Sequence, residues 1–154
     1  MYTVSFFGHQ RMDSFSPTEE KLLSLLRRLS DREDHVEFLV GRDGDFDQLV
    51  ASSVLRTKKG RSVQNSSLIW VMAYPKAEYL HDPDAYAHYY DEIEICEASE
   101  KAYPKAAISL RNHAMIDRSD LCVFYVERAS GGAFQALQYA KKQGKTIVNL
   151  AESR

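Results

Sequence analysis

The sequence predicts an α/β fold: a Rossmann-like, open, doubly wound sheet of about five parallel strands, in three α/β/α layers. Three observations predict it. Short apolar runs alternate with segments of helical periodicity along the chain. The run Leu121 to Val126 is apolar throughout, as a parallel strand covered on both faces requires. Finally, the strand ends near Gly8, Gly41 and Ser130-Gly131-Gly132 pass directly into glycine turns, which let a backbone approach a ligand at a helix N-terminus.

The elements follow in order. Tyr2 to Phe7 reads as a buried strand ending at Gly8. Ser16-Pro17-Thr18-Glu19 combines an N-cap Ser, a Pro at the first helical position and a Glu placed for a capping box. The helix that follows carries Leu22, Leu25, Leu26 and Leu29 on one face. Val36 to Val40 is the second strand, and Gly41-Arg42-Asp43-Gly44-Asp45 turns into a helix carrying Phe46, Leu49, Val50 and Val54. Leu68 to Ala73 is the third strand. From Tyr74 to Pro104 periodicity fades, and tyrosines and acids dominate. A segment this long and irregular reads as a lid over a site, a partner surface or a plain surface loop. A helix from about Lys105 to Asp117, the fourth strand, a helix from about Gly132 to Gln143 and a last strand from Thr146 to Leu150 complete the pattern.

Bulk properties narrow the function. The 154 residues are the size of one domain, taken as 1–154. A formal net charge of −2 offers no general attraction to a polyanion, so nucleic acid is not an expected partner. The two cysteines, Cys96 and Cys122, form no disulfide framework, which suits a reducing cytoplasm. No apolar run approaches about 18 residues and no leader pattern opens the chain, so no membrane association is expected. The apolar helix faces and the tyrosine-rich segment point to a homodimer.

In a doubly wound sheet, ligands bind at the carboxyl ends of the strands. The loops predicted there supply Gly8, His9 and Gln10, then Gly41, Arg42, Gly44 and Asp47, then Ser130, Gly131 and Gly132. His9 reads as a hydrogen-bonding or titrating group, or as a strand-end cap. Arg111, with Asn112 beside it, reads as a two-pronged phosphate contact or as a helix-surface salt bridge. Asp47 either caps free N–H groups or accepts from a ribose hydroxyl. Asp117 and Asp120 fall at the opposite end of the sheet and read as structural. Glu127 is the best catalytic candidate, being the carboxylate just past the fourth strand. No histidine or cysteine pair has metal-ligand spacing, and neither a G-x-S-x-G elbow nor a Walker A lysine is present. No metal and no cofactor are expected.

The segments VSFFGHQ, FLVGRDGDFDQLVA, RNHAMIDRSDLCVFYV and SGGAFQALQYAKKQGKTIVNL together resemble the SLOG superfamily of Rossmann-like domains, which includes the cytokinin-activating LOG proteins and the DNA-processing protein A domain. The likeness is greatest to a small bacterial family within it. It implies a Rossmann-like fold and a site for a nucleotide or nucleotide-derived ligand, with no settled activity. Arg111 and Met115 match the Arg and Met of LOG enzymes, but Ala133 to Gln138 carry none of the acids that assist N-glycosidic cleavage there. Gln10 also stands where many relatives have Arg. The expected function is therefore binding of a nucleotide-derived small molecule at the carboxyl edge of the sheet, in a sensor or sequestering role. The alternative is an N-glycosidase or phosphoribohydrolase-like enzyme acting on nucleoside monophosphates, with Glu127 or His9 as the acid-base group.

Overall fold

The structure, a computed structural model, describes residues 1–152. Its elements run β1 (Tyr2–Gly8), α1 (Ser16–Arg32), β2 (Val36–Val40), α2 (Asp45–Lys59), β3 (Ser66–Met72), α3 (Ala77–His81), α4 (Pro83–Ala87), β4 (Glu92–Ile95), α5 (Pro104–Asp117), β5 (Leu121–Tyr125), α6 (Gly132–Lys142) and β6 (Thr146–Asn149). The strands form one sheet in the order β4-β3-β2-β1-β5-β6, with every neighbouring pair parallel. The doubly wound α/β/α reading holds, with six strands rather than five.

Each central strand is apolar on both faces because each face is covered. Side chains alternate across a strand, so Val4 and Phe6 join the core under α1 and α2 while Phe7 joins the core under α5 and α6. The leucines Leu22, Leu25, Leu26 and Leu29 all lie in the first of these cores, as their spacing predicts. Ser5 faces the second layer, where its hydroxyl donates to Met115 O at 3.0 Å and meets the Ser119 hydroxyl. A buried hydroxyl is tolerable there because it is bonded.

Two local expectations need correction. The residue before α1 is Phe15, in helical conformation, while Ser16 is already inside the helix and makes no capping bond. Glu19 pairs with Arg56 of α2 instead of closing a capping box. Between 74 and 104, the segment read as irregular contains α3, α4 and the edge strand β4. That strand was hidden because Glu92-Ile93-Glu94-Ile95 is short and its alternation is that of an exposed edge, with none of the apolar run of a central strand. Most tyrosines of this segment pack inward, whereas Tyr103 is exposed. Tyr79, Tyr86 and Tyr90 surround Trp70, at ring-centroid distances of 5.9, 5.3 and 5.3 Å. The aromatic surface expected to face a partner is largely taken up by the protein's own core. No helix among the described residues is long and apolar enough to cross a membrane.

Candidate functional site

The strand order reverses between β1 and β5: β2 and β3 extend to one side of β1, while β5 and β6 extend to the other. The loops leaving β1 and β5 therefore diverge and open a crevice at their carboxyl ends. A cavity of about 770 Å³ lies there. Gly8 to Arg11 line it after β1, Gly41, Asp43 and Asp47 after β2, and Arg128 with Ser130 to Ala133 after β5. Ile108, Arg111, Asn112 and Met115 of α5 close one wall. Of the residues picked out from sequence, the structure brings together Gly8, His9, Gln10, Gly41, Asp47, Arg111, Asn112, Ser130, Gly131 and Gly132.

The glycines, alike in sequence, do different things. At Gly8 a Cβ would run into the Phe46 ring, and at Gly44 it would run into the backbone of Gln10. Both positions need glycine so that α2 and the β1 loop can pack against the strand ends. That packing is reinforced where Asp45 N–H donates to Gln10 O at 2.8 Å and Met12 N–H donates to Asp45 Oδ2 at 3.0 Å. Gly131 has a φ of 91°, a conformation that favours glycine, and nothing lies within 4 Å of where its Cβ would be. Gly132 is equally open. The first turn of α6 thus begins at an uncovered backbone, and no side chain caps it. Its leading N–H groups and the positive end of the helix dipole favour an anion at this spot.

Arg111 is not the free phosphate clamp that its position suggested. Its side chain is 3% exposed. Nε donates to Asn112 Oδ1 at 3.0 Å, Nη1 to Val71 O at 3.0 Å and Nη2 to Asp43 Oδ2 at 2.5 Å. These bonds tie α5 to the carboxyl ends of β3 and β2, so the side chain acts as a strut behind the cavity. Burial opposes the Asp43 charge, but Arg111 and then Lys76 outweigh it and hold the carboxyl below its usual range. Asp47 fares differently. Burial, and next to it the negative charge of Asp43, push its carboxyl up to about 7, although it accepts the Asp43 N–H at 2.9 Å. One side of the cavity therefore holds a carboxyl that gains or loses a proton near neutrality.

His9 is 5% exposed, and its Nε2 accepts from the backbone N–H of Glu127 at 2.9 Å and of Arg128 at 3.4 Å. The imidazole thereby joins the end of β1 to the loop after β5. Burial, then the charge of Arg128, lower its pKa from the ordinary value, against the raising effect of Glu127. Glu127 itself is exposed and is not among the residues lining the cavity. Arg42 also lies away from it. Its guanidinium sits over the Tyr86 ring at 5.3 Å and bonds Tyr90 Oη at 3.0 Å, because the aromatic group around Trp70 draws it in. Among the described residues, the cavity-lining cations without an ion pair are Arg11 and Arg128, which sequence reasoning passed over. Their position within three residues of the glycines was the available signal. Among the described residues, no group of three His, Cys, Asp or Glu side chains could hold a metal ion.

No family model matches the sequence, and no curated protein matches it. Solved structures do share its fold. DNA processing protein A from Streptococcus pneumoniae superposes with a TM-score of 0.65 at 12% identity, covering 95% of this chain and 49% of that one. DNA processing protein A from Helicobacter pylori, whose structure is described as revealing a single-stranded DNA binding mode, gives a TM-score of 0.64 at 15% identity, covering 95% of this chain and 63% of that one. The chain thus spans about half to under two thirds of these proteins. The second neighbour corrects the expectation that set nucleic acid aside. Net charge is an average over the surface, whereas a phosphate chain meets local charges. What the chain shares with these proteins is the Rossmann-like fold.

Proposed function

We propose that the cavity binds a nucleotide or nucleotide-derived small molecule, in a sensor or sequestering role. One observation carries this reading: a single cavity at the strand-order reversal joins the uncapped glycine turn of α6, with Arg128 and Arg11, to the Asp43 and Asp47 carboxyls. A nucleotide has the matching polarity. Its phosphate suits the N–H groups and guanidiniums, and its sugar hydroxyls or base amine suit the carboxyls. The volume of about 770 Å³ is in the range of small-molecule sites. As in the sequence reading, the natural setting is a cytoplasmic homodimer within a bacterial SLOG family.

Calorimetric titration with AMP and with ADP-ribose tests this, supported by thermal shift. A ligand at about a hundred times its dissociation constant adds ~2.7 kcal/mol to stability. Absence of heat and of any melting shift at millimolar concentration for both compounds rejects the reading. Appearance of free adenine during the incubation replaces the sensor role with catalysis.

A second reading is favoured by the Helicobacter pylori neighbour: the same cavity holds one phosphate of a single-stranded nucleic acid. Labelled oligothymidylate at two salt concentrations separates the two readings. Strand binding weakens steeply with salt in proportion to the phosphates neutralised. Competition by ADP-ribose then tells whether both ligands use one site.

A further inference from the structure

Resting on that reading of the cavity, we propose that His9 is a positioning residue acting as a proton-sensitive latch, which holds the anion-binding loop 127–132 in place only while its imidazole is neutral. The geometry is specific. Nε2 accepts two backbone N–H groups, from Glu127 and Arg128. A ring nitrogen can accept only when it carries no proton, so the proton resides on Nδ1. The loop held in this way carries Arg128, Ser130, Gly131 and Gly132 to the cavity wall. Protonation turns Nε2 into a donor facing two donors, and the loop must move away.

The surroundings do not offset this. Arg128 lies close by and opposes a second positive charge, while Glu127, which would favour one, is solvent-exposed. Tyr125 of β5 meets the ring edge-on, with centroids 6.1 Å apart. Arg11 and Asp13 line the cavity from the loop that carries His9, and Arg111, Asp43 and Asp47 stand on its other walls. Because Arg111 and Asp43 are paired, Asp47 is the other group here that titrates near neutrality. Linkage then has a fixed sign. If ligand prefers the latched state, acid weakens binding and ligand lowers the His9 pKa.

The test uses ADP-ribose and oligothymidylate, whose phosphodiesters do not titrate between pH 5 and 8. Affinity is measured at pH 7.5 and 5.5 for the wild-type chain and for His9→Gln, and the Glu127 and Arg128 amide signals are followed by NMR over the same range. Glutamine keeps a carbonyl acceptor and has no titrating nitrogen. The wild type should lose affinity on acidification, by less than about tenfold because the His9 pKa lies below its ordinary 6.5, and His9→Gln should lose much less. Both amides should shift with the His9 titration. Amides that ignore that titration overturn the latch, as does a pH dependence identical in wild type and His9→Gln. If neither probe binds at any pH, the binding reading fails and the gate with it; amide shifts that still follow His9 show that the structural contact stands.

Discussion

The loop after β2 and the loop after β5 are both glycine-containing turns into a helix at the same edge of the sheet, yet they are built for opposite purposes. In the first, Asp43 is bonded to Arg111 and Lys76, Arg42 is drawn onto Tyr86 and Tyr90, and Gly44 is pressed against Gln10. Almost every polar group there answers to another group of the protein. In the second, Gly131 and Gly132 face open space, and Arg128 lines the cavity without an ion pair among the described residues. Glycine in the first loop is a packing requirement; in the second it leaves backbone uncovered. Unsatisfied hydrogen-bonding capacity is the better marker of a ligand side than glycine content.

The sharpest way to break the comparison is to remove the strut. Arg111→Met should cost about 3 kcal/mol or more in urea unfolding, because it leaves a partly buried Asp43 charge and the Val71 carbonyl without their partner. Arg111→Met combined with Asp43→Asn should recover part of that loss. If Arg111→Met leaves stability unchanged, the β2 side is not the self-satisfied half described here.

Next in size is a contrast between glycines. Gly44→Ala should cost about 1–3 kcal/mol, since the new Cβ meets the Gln10 backbone and not a yielding side chain. The effect is read as a fall in urea midpoint at unchanged slope. A neutral outcome at Gly44 would mean that the β1 and β2 loops are not locked together.

Asp47 sharpens the contrast through pH. A carboxyl whose folded pKa is about 7, above an unfolded value of 3.8, contributes stability that is fully present below 3.8 and lost as pH rises through 7. Asp47→Asn should therefore be more stable than wild type at pH 8, by about 1–2 kcal/mol once solvent screening of a half-buried group is allowed for, and the gain should vanish near pH 4. Melting curves at the two pH values measure it. His9 acts in the opposite sense: its lowered pKa adds stability that is present above 6.5 and lost as pH falls below it.

The sequence made the central strands and four of the helices legible because burial on both faces writes itself as apolar runs, and amphipathic faces as spacing. It did not reveal β4, whose four residues alternate at an exposed edge. It placed ten of the candidate site residues around one cavity, but assigned roles poorly. Arg111 pairs with Asp43 across 68 positions, and nothing local to either residue announces that bond. The inward turn of Arg42 likewise depends on Trp70 and on tyrosines more than 40 positions further along the chain. Turn chemistry is local and readable; the partner that neutralises a charge is not.

The smallest expected change in stability carries the most direct information on function. Gly132→Ala adds one methyl where nothing lies within 4 Å, and the φ there is not in the left-handed region. Its effect on unfolding should be within about 0.5 kcal/mol, or slightly stabilising, because alanine narrows the unfolded ensemble. Gly131→Ala, one position earlier, should instead cost about 1–2 kcal/mol, since its φ of 91° strains any residue with a Cβ. The two substitutions therefore separate folding from binding. If the α6 turn receives the anion, the methyl at 132 narrows the approach to the leading N–H groups, and the affinity for ADP-ribose should drop by about tenfold or more while the melting temperature stays put. Titration calorimetry on Gly132→Ala beside wild type decides it: equal affinity would place the anion away from the glycine turn and return the argument to Arg11 and the loop after β1.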